Sequence, residues 1–176
     1  MGHDVHIRRI AEGDWDAIVA LEAATYSAGA LSEGRDALRS RARSSPATCF
    51  VLHYEQRPAG YLLALPYPMF RYPDLSRPEQ VVHHSRNLHL HDLVVARHVR
   101  GNGLARELLH RLTATARAKK YERISLIAVG GSEGFWSANA FDAVPEVALA
   151  SGYGAGAVYM STPVRRSEPV YPRKAK

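Results

Sequence analysis

The stretch LHLHDLVVARHVRGNGLARELL, residues 88–109, decides the fold. Its first half reads as a strand, in which His89, His91, Leu93 and Val95 share one face at period two. Its second half reads as a helix over residues 103–120. Leu104, Ala105, Leu108 and Leu109 open an apolar stripe that Leu112 and Ala116 continue. Between the two stands Arg100-Gly101-Asn102-Gly103. Strand, glycine turn and helix start, in that order, are a place to hold an anion. The first N–H groups of a helix have no intrahelical partners, and the helix dipole adds partial positive charge there. Glycines let a phosphate reach that backbone. The paired histidines bring a proton acceptor to the same place.

Working outward, residues 5–10 form a short first strand. AEGDWDAIVALEAATYS (residues 11–27) follows as an amphipathic helix through Trp15, Ile18, Val19, Leu21 and Glu22, capped near Gly13 and Asp14. A second helix covers residues 32–44, with Ser32 as N-cap and Pro46 as stop. TCFVLHYEQRPAGYLLALP (residues 48–66) is a hairpin around a turn at residues 56–59. Residues 66–86, rich in proline and aromatics, make a long loop, and long loops in compact domains are commonly functional. RISLIAV is a buried strand, SEGFWSANAF a short helix, and residues 155–163 a last strand. The order β-α-α-β-β-β-α-β-α-β gives an α/β chain, with a mixed sheet and helices on both faces.

The chain has 176 residues, 46% hydrophobic and 23% charged, as one globular domain should. The domain spans residues 1–164. Residues 165–176 form a basic, proline-containing tail without periodicity, read as disordered. No apolar run reaches the roughly 20 residues of a membrane span, and the N-terminus has no apolar signal core. His6 stands where myristoylation wants Ser or Thr. The single cysteine, Cys49, excludes an internal disulfide and any cysteine-based zinc site. A cytoplasmic location is expected. The net charge of +6 suits nucleic acid, a membrane surface or a phosphorylated small molecule. With no nucleic-acid motif beside the charge, neither nucleic acid nor membrane is the expected partner.

Two nucleotide-binding readings of the glycine turn fail. A P-loop needs Gly-Lys-Ser/Thr, which is absent. A dinucleotide fingerprint needs glycine or alanine where Arg106 stands, and it belongs to the first strand–helix unit of a domain. Instead the segment resembles the pyrophosphate motif Gln/Arg-x-x-Gly-x-Gly/Ala of the GNAT superfamily of acetyl-CoA-dependent N-acetyltransferases, with Arg100, Gly103 and Ala105 at its fixed positions. The order of elements is similar to that family's over nearly the whole chain. The resemblance implies a mostly antiparallel, twisted sheet of six to seven strands, splayed where acetyl-CoA lies. It also implies that Leu93, Val94 and Val95 face the pantetheine arm, and that Arg100, Gly101, Asn102, Gly103, Leu104, Ala105 and Arg106 hold the pyrophosphate. Acetyl-CoA is then the cosubstrate, with no metal, and a homodimer is allowed.

An alkyl amine of pKa about 10.4 must lose a proton before it can attack a thioester, at a cost of roughly 4 kcal/mol near pH 7.4. A base with pKa near ~6.5 offsets much of this. HLHDLVV is also similar to the His-x-His-x-Leu-x-Val strand of arylalkylamine N-acetyltransferases, and that resemblance implies that His89 and His91 relay the proton. The alternatives are two buried structural histidines, or a metal site with His83, His84 and Asp92, whose spacing fits no familiar zinc pattern. Where many family members carry a tyrosine acid, this chain has Trp136, and an indole supplies no transferable proton. Phe135 and Trp136 are expected to pack over the pantetheine arm, and Tyr153 to replace the acid. Losing the acid slows transfer rather than abolishing it, because a thiol of pKa ~8.5 leaves as thiolate for about 1–2 kcal/mol. Tyr26, Tyr67 and Phe70 are the expected acceptor pocket. The expected acceptor is a small-molecule primary amine. A non-catalytic acyl-CoA sensor and a peptide- or protein-acetylating enzyme are the alternatives.

Overall fold

The computed structural model describes residues 4–26, 29 and 31–165, so the tail beyond Arg165 lies outside the described residues. Seven strands form one sheet: β1 (Val5–Arg9), β2 (Phe50–Tyr54), β3 (Arg57–Pro66), β4 (Asn87–Val95), β5 (Arg123–Ala128), β6 (Asp142–Ala143) and β7 (Val158–Pro163). Their order is β1-β2-β3-β4-β5-β7-β6. Among the described residues only β4 and β5 run parallel; every other pair is antiparallel. The helices are α1 (Trp15–Thr25), α2 (Arg35–Ser44), α3 (Leu104–Ala118) and α4 (Glu133–Ala138).

The alternation of each strand divides the core between the two faces. Phe50, Leu52, Leu62, Leu88 and Leu90 pack with Leu108 and Leu112 of α3. Tyr61 and Leu63 pack with Trp15 and Ile18 of α1 and Leu38 of α2. The stripe expected on α3 is the one buried: Leu104, Leu108, Leu109, Leu112 and Ala116 all face inward.

Three local details differ from the sequence reading. The hairpin turn lies at Glu55 and Gln56, with φ of 49° and 65°, which hands residues 57–59 to β3. Positive φ at both central residues matches the twist of the flanking strands. Helix α2 begins at Arg35 behind Gly34, whose φ of 82° favours glycine, while the Ser32 hydroxyl donates to Glu22 Oε2 at 2.9 Å instead of capping. The two-residue β6 has too little pattern to be read from sequence.

A fourth difference reshapes the site. Leu63 of β3 pairs with Asp92 and Ala64 with Leu90, so His91 is an extra residue in β4, a β-bulge. One extra residue exchanges the faces of everything after it. His89 and His91 therefore share their face with Asp92 and Val94, not with Leu93 and Val95. Val94 packs in the α1–α2 cluster and Val95 in the α3 cluster.

Candidate active site

Strands β4 and β5 stay paired only from Asn87↔Arg123 to Leu90↔Leu126. Beyond Leu90 they part, and a cleft of about 940 Å³ opens between them. It is lined by Leu93, Val94 and Val95, by Arg100, Gly101, Gly103, Leu104, Ala105 and Arg106, and by Phe135 and Trp136. Asn102 is not in the lining; its side-chain amide donates to the Val99 carbonyl at 2.9 Å and tightens the turn from behind. Arg97 lines the cleft as well, which the motif does not announce.

Gly101 and Gly103 have φ of 86° and 75°, and a Cβ on either would meet nothing within 4 Å. The glycines serve the left-handed backbone and leave open space above it. The first bond of α3 runs from Glu107 N–H to the Gly103 carbonyl at 3.1 Å. Leu104, Ala105 and Arg106 thus present N–H groups with no intrahelical partner. Arg100 Nε donates to the Val95 carbonyl at 3.0 Å, fastening the end of β4 to the turn. Free donors, the helix dipole and the arginines at 97, 100 and 106 fit a pyrophosphate chemically.

The two histidines have different surroundings. His91 lines the cleft, and its Nε2 donates to Glu33 Oε2 at 2.5 Å. Its Nδ1 is buried and has no partner among the described residues. His89 is outside the cleft lining and only 1% exposed, with Nδ1 3.0 Å from the Ser125 hydroxyl. Burial, with the charges of His91 and Arg41 adding to it, pushes its pKa down to about 3, so it stays neutral at physiological pH. Asp92 accepts from Tyr26 Oη at 2.7 Å and Tyr61 Oη at 2.5 Å. Burial pushes its carboxyl up to about 6 against those two bonds.

The acetyltransferase (GNAT) family model matches residues 15–138. The chain belongs to that family. Solved structures agree in fold. Ard1 from Thermoplasma volcanium is 14% identical, with 92% of this chain and 99% of that one covered at a TM-score of 0.72. The ribosomal-protein-S18-alanine N-acetyltransferase of Escherichia coli is 14% identical, with 96% and 99% covered at 0.64. The GphF GNAT-like decarboxylase, solved with isobutyryl-CoA, is 22% identical, with 91% and 100% covered at 0.67. No curated protein matches the sequence. No helix among the described residues is long and apolar enough to cross a membrane.

For a GNAT acetyltransferase, several expected site residues sit away from the cleft. Tyr153 Oη donates to the Pro73 carbonyl at 2.5 Å, and burial pushes its pKa well above the ordinary phenol value. That hydroxyl is committed to holding the loop. Tyr67 is buried with its ring 4.3 Å from His83 and 6.1 Å from His89, while Phe70 is 55% exposed over Tyr159. Of the expected acceptor residues only Tyr26 lines the cleft. Trp136 stands edge-on between Phe135 at 4.9 Å and Phe141 at 5.5 Å, an aromatic wall rather than an acid.

The opposed shifts of His89 and Asp92 make a pH prediction. An unfolded imidazole takes its proton near pH 6.5 and folded His89 only near 3, so His89 contributes stability above 6.5 that is lost as pH falls through that window. Asp92 is raised instead, so its contribution is full below about 3.8 and lost as pH rises through about 6. The two oppose each other between those values, and below them only the His89 loss is left. Thermal melts from pH 7 to 3 should therefore show His89→Gln losing stability less steeply than wild type. Parallel curves would mean that His89 titrates normally.

Proposed function

We propose that this acetyltransferase acetylates the primary amine of a small molecule, with His91 taking the amine proton. The observation that carries the reading is His91 itself: a residue of the cleft lining whose side chain is 2% exposed, with one ring nitrogen fixed and the other buried and, among the described residues, unpartnered. Acetyl-CoA supplies the acyl carbon; its carbon–sulfur bond breaks and coenzyme A leaves as the thiolate, which takes a proton from water. The cradle at Gly101–Arg106 holds its pyrophosphate, and the open edge of β4 beyond Leu90 receives the pantetheine arm. The amine docks beside Thr25, Tyr26 and Leu31 and passes its proton to His91, which frees the nitrogen lone pair to bond to the acyl carbon.

The segment 66–86 is fastened on both sides. Arg41 Nη2 donates to the carbonyls of Asp74 and Arg77 at 2.8 and 3.0 Å. Tyr72 Oη donates to the Ala148 carbonyl at 3.0 Å, accepts from Ala150 N–H at 2.9 Å, and Phe70 N–H donates to Tyr159 Oη at 3.0 Å. This strap covers His89 and Tyr159, both 1% exposed, which leaves a single imidazole of the pair in the cleft lining. A coupled thiol-release assay across alkylamines, arylalkylamines and peptides tests the reading. We expect at least one small primary amine to release CoA above the buffer rate. Turnover of peptides alone would replace the reading by peptide acetylation, and coenzyme binding without any turnover would replace it by an acyl-CoA sensor.

A further inference from the structure

We propose that Glu33 is a positioning residue for His91: it fixes the imidazole with its proton on Nε2 and thereby makes Nδ1 the atom that accepts the amine proton. The inference rests on the reading of His91 as acceptor and adds the group that sets it. A carboxylate only accepts hydrogen bonds, so the 2.5 Å contact of Glu33 Oε2 with Nε2 requires the proton to be on Nε2. Nδ1 is then the basic nitrogen, and it is buried without a partner among the described residues.

The surroundings hold Glu33 in place and in charge. Its backbone N–H donates to Glu22 Oε1 at 2.6 Å, tying the segment before α2 to α1. Its Oε1 accepts from Arg41 Nη2 at 2.6 Å, and Arg41 Nη1 donates to Glu79 Oε1 at 2.5 Å. Burial alone would raise the Glu33 carboxyl, but His91 and Arg41 outweigh burial and hold it below the usual range. Glu33, Arg41 and Glu79 are nearly enclosed, with side chains 4%, 1% and 8% exposed. Two carboxylates face one guanidinium, so the cluster is one positive charge short, and a proton on His91 completes it. The other groups near the ring do not supply that charge. His89 is neutral, Glu22 is bound to Ser32 and the Glu33 backbone, and Asp92 is bound to Tyr26 and Tyr61. Because Arg41 also grips the strap at Asp74, Arg77 and Glu79, Glu33 and the strap over His89 share one anchor.

The test uses the full chain with Glu33→Gln, Glu33→Asp, His91→Gln and the double variant His91→Gln/Glu33→Gln, with folding checked by the melting shift that acetyl-CoA induces. Imidazole nitrogen NMR should show His91 protonated on Nε2 in wild type and in Glu33→Asp. In Glu33→Gln that preference should be lost. With acetyl-CoA and 2-phenylethylamine, Glu33→Gln should lower kcat by about 10- to 100-fold and leave KM for acetyl-CoA within about twofold. Glu33→Asp should recover part of the rate. The double variant should be no more than about twofold slower than His91→Gln, because Glu33 acts through His91. An unchanged tautomer in Glu33→Gln, or a loss that adds in full to that of His91→Gln, overturns the proposal. If His91→Gln keeps the wild-type rate, the acceptor reading falls and this proposal with it; if only Glu33→Gln does, this proposal falls alone.

Discussion

Gly103→Glu abolishes the rise in melting temperature that acetyl-CoA gives the wild type. A ligand bound only to the folded state at 100 times its Kd stabilises by about 2.7 kcal/mol, or about 5–10 °C for a domain of this size. Gly103 sits at the mouth of the cradle with φ of 75° and nothing within 4 Å of a Cβ, so a glutamate has room but projects where the pyrophosphate must lie. Its negative charge repels the phosphates and occupies the N–H groups of Leu104 to Arg106. The left-handed backbone adds about 1–2 kcal/mol of strain, which leaves the protein folded but lowers its own melting temperature. Gly103→Asn is the control, because asparagine tolerates that conformation and carries no charge, and it should keep part of the shift. A wild-type shift in Gly103→Glu would mean that the coenzyme phosphates lie elsewhere.

What could be read from the sequence was local. The stripe of α3 and the glycine turn before it repeat over a few residues, so period and turn chemistry were enough to place the cradle. The bulge at His91 could not be read that way. One extra residue in a strand leaves no compositional trace, yet it turns Asp92 onto the histidine face and Leu93 and Val95 away from it. Glu33 and His91 are 58 residues apart in the chain, and no local pattern joins them. Arg41 looks like part of a solvated basic run over residues 35–43, whereas its side chain is 1% exposed and held by Glu33 on one side and the strap on the other. The pairing of the histidines was visible. Their inequality was not, because it depends on the strap that covers His89 and on the cleft that His91 reaches.

That inequality fixes the expected result of replacing each histidine alone. His91→Gln should lower the acetyl-transfer rate by roughly 10²–10⁴, the usual worth of a general base. Glutamine preserves approximate size and can still bond Glu33, so the fold and coenzyme binding should survive; the cradle lies beyond the strand. Its remaining activity should rise with pH as more of the amine is already deprotonated, and a small imidazole added to the buffer should restore part of the rate. His89→Gln should stay within about tenfold of wild type, because a buried imidazole with pKa near 3 is too weak a base to take a proton from an ammonium group. The measurement is the initial rate of CoA release from pH 6 to 9 for both variants with the best amine of the panel. Equal losses in the two variants would restore a relay through both rings. A wild-type rate in His91→Gln would pass the proton to Asp92, whose carboxyl near 6 lines the same cleft.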